Sequence, residues 1–432
     1  MAPFIPPQLH ELITHARTHS PYYRALYAHL PLNISDLATL PLVDNTAYWR
    51  AASTDPNNPK GGVLTSALTD AVIMRSGGST SEPKTVYMTR AEFHATSAIN
   101  GALFGRSCGI QAGDRVANLS SQGGMYSGFM TYGYTVMNCS VPVVNMPISG
   151  KEPPPSITAD ILQFGATVVI SNVFIATKLA TYLRDRGLTL PTVRLILYTG
   201  EPFYRDLRAL YNAAFPQAVV RPLAYASVEC KIVAFPAYEL NEGNEDADVE
   251  PTYRVVDEAV VLEIVGDDGA VIQENGVRGT LVVTNLLKKL QPTIRYPIGD
   301  VGEWVDVQAG LFKLRGRSNV GLKVGTALLD KALLRKLVSR VVGEGVADSF
   351  QTVIRRKNAH NIVLFRIAAE APKDATAIPQ RLEEAIIEAN PSWARNRDAG
   401  QIAPVEVEWV RFQDLVFLEA SGKLKEVIDE RF

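Results

Sequence analysis

The sequence predicts an α/β fold: a large N-terminal part with mostly parallel sheets covered by helices, a β-rich subdomain after it, and a small α+β part at the C-terminus. Three observations predict it. Apolar strand-like runs alternate with helical stretches from Asp70 to Arg221, which implies crossover units and a sheet covered on both faces. Short β-rich runs dominate from Tyr253 to Trp304. A compact mixture of helix and strand follows LRGRSN at Leu314–Asn319. The boundary is expected near Gly316–Asn319, giving domains 1–316 and 317–432 with a hinge near Asn319. A chain of 432 residues, 47% hydrophobic and 20% charged, is long enough to bury a large core without disulfide or metal support.

Taken in order, Gln8–Leu30 has apolar residues at helical spacing and reads as surface helices. His15 and His19 are four apart, on one helical face, but no third ligand is evident, so a solvated face is expected. Ala71–Met74, Thr167–Ile170 and Leu195–Tyr198 read as buried strands; Arg90–Gly105 and Val173–Arg186 read as helices. Pro153–Pro155 marks a loop. The acidic segment Glu242–Glu250 reads as a solvated turn between strands. Val260–Val265 and Thr280–Thr284 read as strands. In the C-terminal part, Leu328–Val342 and Pro379–Ala389 read as helices, Thr352–Arg355 and Ile362–Ile367 as a hairpin about Lys357–Asn361, and Val405–Val410 as a strand.

Charge and cysteine content exclude several functions. Lys plus Arg number 43 against 45 Asp plus Glu, a net charge of −2, so no strong basic field draws nucleic acid or an anionic membrane. Cys108, Cys139 and Cys230 show no paired spacing, which fits a reducing compartment. The N-terminal residues lack the apolar core of a signal peptide, and no apolar run approaches the length of a membrane span. A soluble, cytoplasmic protein is expected.

The strongest local signal is RSGGSTSEPKTVYMT, Arg75–Thr89. Glycines let a backbone approach an anion closely, amides and Ser/Thr hydroxyls donate to phosphate oxygens, and Lys84 adds a mobile positive charge. It is neither a Walker loop nor a dinucleotide fingerprint, since GxxxxGK[ST] and GxGxxG are both missing. Five further segments follow in order: TGEP at Thr199–Pro202, YASVE at Tyr225–Glu229, RYPIGD at Arg295–Asp300, LRGRSN at Leu314–Asn319 and SGKLK at Ser421–Lys425.

In that order these segments resemble the AMP-forming acyl-adenylating (ANL) superfamily, and within it most of all the phenylacetate–CoA ligase family. SPYYRALY at Ser20–Tyr27 and LATLPLVDNTAYW at Leu37–Trp49 resemble that family's N-terminal region, so the likeness spans essentially the whole chain. The resemblance implies attack of a carboxylate on the α-phosphorus of ATP with release of pyrophosphate. It assigns Ser76, Gly77, Gly78, Ser79 and Thr80 to the β- and γ-phosphates, with Lys84 in support. Gly200, Glu201 and Pro202 would pack along adenine, and Tyr225 by the adenine or α-phosphate. Glu229 would ligate Mg2+, Asp300 would accept from both ribose hydroxyls, and Arg317 would contact ribose or phosphate. Lys423, on the small mobile domain, would stabilise the developing charge. Asn319 would be the hinge, with Lys323 and Gly325 along the thiol's approach. Tyr126, Phe129, Tyr132, Ala224 and Ala226 would surround the acid.

Departures from the family pattern are Ser81 and Ala226 in place of glycines, Ile298 in place of threonine, and Asn319 in place of aspartate. Cys230 stands alone where some relatives hold zinc, so no zinc site is expected. The expected function is activation of a small, aromatic or similar, carboxylic acid and its transfer to coenzyme A. The alternatives keep the adenylation but use an amine, another nitrogen nucleophile or a carrier-protein thiol in a specialised biosynthetic pathway, or keep nucleotide binding without turnover. No nucleic-acid or membrane partner is expected.

Overall fold

The computed structural model describes residues 7–34, 36–52, 62–76, 84–200, 202–317, 322–325, 327–329, 331–343, 349–417 and 424–431. The chain forms two compact units. One comprises Met1–Ser76, Lys84–Phe203 and Leu210–Ser318; the other contains Asn319–Phe432 and Tyr204–Ala209.

In the first unit, strands β1 (Ala71–Arg75) and β2 (Thr85–Thr89) form an antiparallel pair. The Ala71–Met74 run was expected to be buried like the strands of the parallel sheet. Instead, of β1 only Met74 is buried, because the strand pairs with β2 alone. The parallel sheet is built from β3 (Arg115–Asn118), β4 (Val144–Met146), β5 (Val168–Asn172), β6 (Leu195–Thr199) and β7 (Val219–Pro222), in the order β4-β3-β5-β6-β7 among the described residues. Apolar side chains fill β5 and β6, as a sheet covered on both faces requires. Helices Arg90–Ser107, Ser127–Met137, Pro154–Phe164 and Val173–Asp185 lie among these strands in sequence. The strand order reverses between β3 and β5, the position where open α/β sheets place ligands beyond their carboxyl ends.

An antiparallel sheet follows: β8 (Tyr225–Ser227), β9 (Lys231–Pro236), β10 (Thr252–Val255), β11 (Val260–Val265), β12 (Arg278–Asn285), β13 (Tyr296–Asp306) and β14 (Leu311–Arg317), in the order β11-β12-β13-β14-β10-β9-β8. The N-terminal helices Pro7–His19 and Pro21–Leu26 are amphipathic: Leu9, Leu12, Ile13, Ala16 and Tyr23 join the main core, and His10 and His19 stay exposed.

In the second unit, the hairpin of β17 (Phe350–Lys357) and β18 (His360–Ala368) turns at Asn358 and Ala359, both at positive φ, a tighter reversal than Lys357–Asn361. Parallel partners β19 (Glu406–Val410) and β20 (Val427–Asp429) complete the order β19-β18-β17-β20. Helices Lys331–Val342 and Ile378–Ala389 pack Leu334, Val338, Leu382 and Ile386 with Phe365 and Trp393. The expected helix from Leu328 begins only at Lys331, because Ala327–Leu329 (β16) pairs as a strand with Leu322–Val324 (β15).

Candidate functional site

Within the RSGGSTSEPK segment, Ser76 and Lys84 face each other. Lys84 N donates to Ser76 Oγ at 2.9 Å, and Ser76 N donates to Lys84 O at 2.9 Å. The expected phosphate-binding residues Gly77, Gly78, Ser79 and Thr80, and Ser81, lie outside the described residues, as do Glu201, Asn319 and Lys423.

Lys84 Nζ forms an ion pair with Glu229 Oε1 at 2.6 Å. It also donates to Tyr296 Oη at 3.3 Å and lies 5.2 Å from the centre of the Trp49 ring. Trp49 Nε1 donates to the same phenol oxygen at 2.9 Å. Trp49 is held there by its helix, Asn45–Ala52, whose Asn45 Nδ2 donates to Pro297 O and whose Tyr48 Oη donates to Pro292 O. Burial pushes the Glu229 carboxyl up, but Lys84, by charge and by hydrogen bond, together with hydrogen bonds from its own backbone and from Ser227, outweighs it and leaves the pKa below its usual value. Glu229 is thus a largely buried carboxylate kept anionic.

The turn that carries Glu229 is braced from β12. Asn285 Nδ2 donates to Cys230 O at 2.9 Å, and Lys288 Nζ donates to Glu229 O at 2.7 Å. The brace is itself fixed by Glu92 Oε1, which accepts from the backbone N–H of Lys289 at 2.7 Å and of Leu290 at 2.8 Å. Glu92 sits in the capping box of helix Arg90–Ser107 with Thr89, directly after β2. Lys288 is fully buried, and burial lowers its pKa to about 8; burial likewise lowers Lys231 to about 7. Lys231 has φ 62, a left-handed conformation that costs a non-glycine residue on the order of 1 kcal/mol or more.

The second pairing joins YASVE to RYPIGD. Tyr225 Oη donates to Asp300 Oδ2 at 2.7 Å, and the Tyr225 ring packs against Tyr253 and Phe312. Gly299, at φ 91, lets β13 kink before Asp300, where the register shifts. Asp300 stands opposite Arg317 in the β13–β14 ladder. One strand, β13, therefore supplies both Tyr296 beside Lys84 and Asp300 beside Tyr225.

At the carboxyl end of β6, Gly200 takes φ 80, open to glycine, as the chain leaves the sheet toward Pro202. Thr199 Oγ1 lies 2.8 Å from Tyr132 Oη, which couples this end to helix Ser127–Met137. Phe129 O on that helix accepts from Asn118 Nδ2 at the end of β3. Tyr126 caps the helix and is exposed, Ala224 is buried, and Ala226 is partly buried beside the Tyr225 pair. Lys323 lies on β15, and Gly325 has φ 59.

The structure thus brings Ser76, Lys84 and Glu229 together, and Tyr225 with Asp300. Sequence reasoning missed Trp49, Tyr296, Asn285, Lys288 and Lys231. The one signal for Lys288 was a Lys pair inside the otherwise apolar NLLKKL run. Among the described residues no group of three or more His, Cys, Asp or Glu gathers as a metal cluster, so Glu229 fits a cation only as a single carboxylate beside ligands from a nucleotide. No helix among the described residues is long and apolar enough to cross a membrane.

A parallel α/β sheet followed by an antiparallel sheet, with a small α+β unit after it, is the architecture of the AMP-forming ANL superfamily. The AMP-binding enzyme family matches residues 33–286, more than half of the chain, and the chain belongs to it. Its fold is similar to that of 2-hydroxyisobutyryl-CoA ligase in complex with 2-HIB-AMP and CoA in the thioesterification state. There the identity is 17% and the TM-score 0.66, over 98% of this chain and 88% of that one. An open conformation of that ligase gives 16% and 0.60, over 98% and 90%. The amide bond synthetase McbA from Marinactinospora thermotolerans gives 15% and 0.51, over 83% and 69%. No curated protein matches the chain in sequence.

Proposed function

We propose that the chain activates a small carboxylic acid with ATP and passes the acyl group to the thiol of coenzyme A. The observation that carries this reading is the Lys84–Glu229 pair: a carboxylate kept anionic in a largely buried place, one hydrogen bond from Ser76 at the base of the glycine-rich segment. In the first step an oxygen of the acid's carboxylate forms a bond to the α-phosphorus of ATP. The bond between that phosphorus and the bridging oxygen to the β-phosphorus breaks, and pyrophosphate leaves. Such a displacement needs alignment and charge neutralisation more than covalent help.

Within this reading Ser76 to Thr80 and Lys84 bind the β- and γ-phosphates. Gly200, Glu201 and Pro202 lie along adenine, Tyr225 lies by adenine or the α-phosphate, Asp300 holds the ribose, and Arg317 contacts ribose or phosphate. Tyr126, Phe129, Ala224 and Ala226 frame the acid. Glu229 would offer one carboxylate to magnesium carried in with ATP, and a cation held there would neutralise phosphate charge. Lys84, itself held by Tyr296 Oη, keeps that carboxylate ionised. Lys423 arrives from the 317–432 domain about a hinge at Asn319 and stabilises charge on the α-phosphate and the incoming carboxylate. The thiolate sulfur of coenzyme A then bonds to the acyl carbon, along the side marked by Lys323 and Gly325, the bond from that carbon to the phosphate oxygen breaks, and AMP leaves. The resemblance of the sequence motifs to those of phenylacetate–CoA ligases favours an aromatic or similar small acid.

The test is a pyrophosphate-release screen over aryl and alkyl acids, with coenzyme A, with an amine, and with neither. A CoA thioester with one group of acids supports the reading, an amide in place of the thioester replaces the acceptor, and no pyrophosphate with any acid overturns the whole. Lys423→Ala is expected to slow adenylate formation by roughly 10²–10³ and to spare transfer from a supplied adenylate. Adenylation near the wild-type rate would remove Lys423 from the first step.

A further inference from the structure

Lys231 begins β9 two residues after Glu229, and the mechanism above leaves it unused. Its side chain is 4% exposed. The hydrogen bond it makes goes to the thioether of Met74, Nζ to Sδ at 2.9 Å, and no oxygen acceptor among the described residues meets it. An ammonium has three donors, and a thioether is a weak acceptor, so this buried cation is poorly satisfied. Lys288, buried close by, has the Glu229 carbonyl. Among the described residues Lys231 has no such oxygen, and it also holds a backbone conformation, φ 62, that disfavours any side chain.

A residue kept here for packing alone would be apolar. Met74 lies in a cluster with Met88 and Phe93, against which Val72, Met130 and Tyr134 pack. Met130 and Tyr134 belong to helix Ser127–Met137, the same helix that carries Phe129. The ammonium therefore sits against a buried, methionine-rich cluster that packs on the helix assigned above to the acid. Methionine walls adapt to ligands of varied shape, and a single buried charge within one supplies the specificity they lack.

We propose that Lys231 is a substrate-recognition residue whose ammonium binds an oxygen acceptor carried by the acid at the end remote from the carboxyl group being activated. The substrate class is thus an acid with a second carboxylate, a phenolate or a hydroxyl group. This inference rests on the acid-adenylating reading above.

Matched acids test it by pyrophosphate release: benzoate against 4-hydroxybenzoate and terephthalate, and hexanoate against 6-hydroxyhexanoate and adipate. Wild-type protein is expected to prefer an acceptor-bearing member in at least one set by roughly 10²-fold or more in kcat/KM, as sites built around a buried polar group do. Lys231→Met should bring that preference within about tenfold of the parent acid and leave the KM for ATP unchanged. Lys231→Gln, which keeps a neutral donor, should retain the hydroxy acid and lose the dicarboxylate. A thermal shift on ATP addition reports that each variant is folded. Equal use of all members by the wild type, or a preference that survives in both variants, overturns the assignment of Lys231 alone. Absence of pyrophosphate from every acid overturns the adenylating reading and this inference with it.

Discussion

Two carboxylate–cation pairs in the first unit look alike and behave in opposite ways. Glu229 pairs with Lys84 at 2.6 Å, and Glu263 pairs with Arg295 at 3.0 Å. Burial pushes the Glu263 carboxyl up, and Arg295 does not bring it back to its usual value. At Glu229 the balance falls the other way. The difference lies in the surroundings. The Lys84 side chain keeps 32% of its exposure, and Glu229 also gains hydrogen bonds from its own backbone and from Ser227. Arg295 is 3% exposed and divides its donors between Glu263 and the carbonyls of Ala38 and Leu40. One pair is open to solvent on its lysine side. The other is sealed and ties the N-terminal segment to β13.

Breaking the sealed pair should have the largest effect. Arg295→Met strands the buried Glu263 carboxyl and should cost about 3–5 kcal/mol of stability in the first unit, read by denaturant unfolding. Adding Glu263→Leu should recover part of the loss, because the stranded charge goes with it. A loss below about 1 kcal/mol for the single variant would mean that water reaches this pair after all. The open pair should respond in rate instead. Glu229→Gln should lower pyrophosphate release by roughly 10²–10³, comparable to removing one preorganised electrostatic group, while stability changes by under about 1 kcal/mol. Activity within about threefold of wild type would take Glu229 out of the mechanism.

The same contrast explains what was readable beforehand. Ser76, Lys84, Glu229, Tyr225 and Asp300 lie in short strings at strand ends, where glycines and polar residues interrupt apolar runs and mark themselves out. Trp49 and Tyr296 lie inside two of the same strings, LATLPLVDNTAYW and RYPIGD, but as aromatic residues they are not told apart from core. Trp49 reaches the site because the Asn45–Ala52 helix docks beside β13, and Lys84 meets Tyr296 across 212 residues of sequence. Lys288 and Lys231 read as ordinary charges because burial is not written in a residue's own identity. Two elements misled for local reasons. Ala71–Arg75 is apolar enough for a core strand, yet it pairs only with Thr85–Thr89. Ala327–Leu329 favours helix by composition, and pairing with Leu322–Val324 overrides that preference.

The two buried lysines predict the smallest effect, a pH dependence with a definite sign. Folding lowers Lys231 to about 7 and Lys288 to about 8, whereas the unfolded chain returns both to the ordinary lysine value. Above pH 7 the unfolded state therefore binds more protons than the native state, so stability rises with pH. The slope cannot exceed about 1.4 kcal/mol per pH unit for each lysine. Cys230 and the buried Tyr253 work the other way: burial raises both, so the native state holds their protons longer, and alkali penalises it once the unfolded groups ionise. Since an unfolded thiol titrates near about 8.5, the rise should be clearest between about pH 7 and 8.5. Unfolding midpoints across that interval should climb for the wild-type chain and climb less for Lys231→Met. Parallel curves for the two proteins would show that Lys231 keeps its charge throughout, which requires an acceptor for it other than the Met74 thioether.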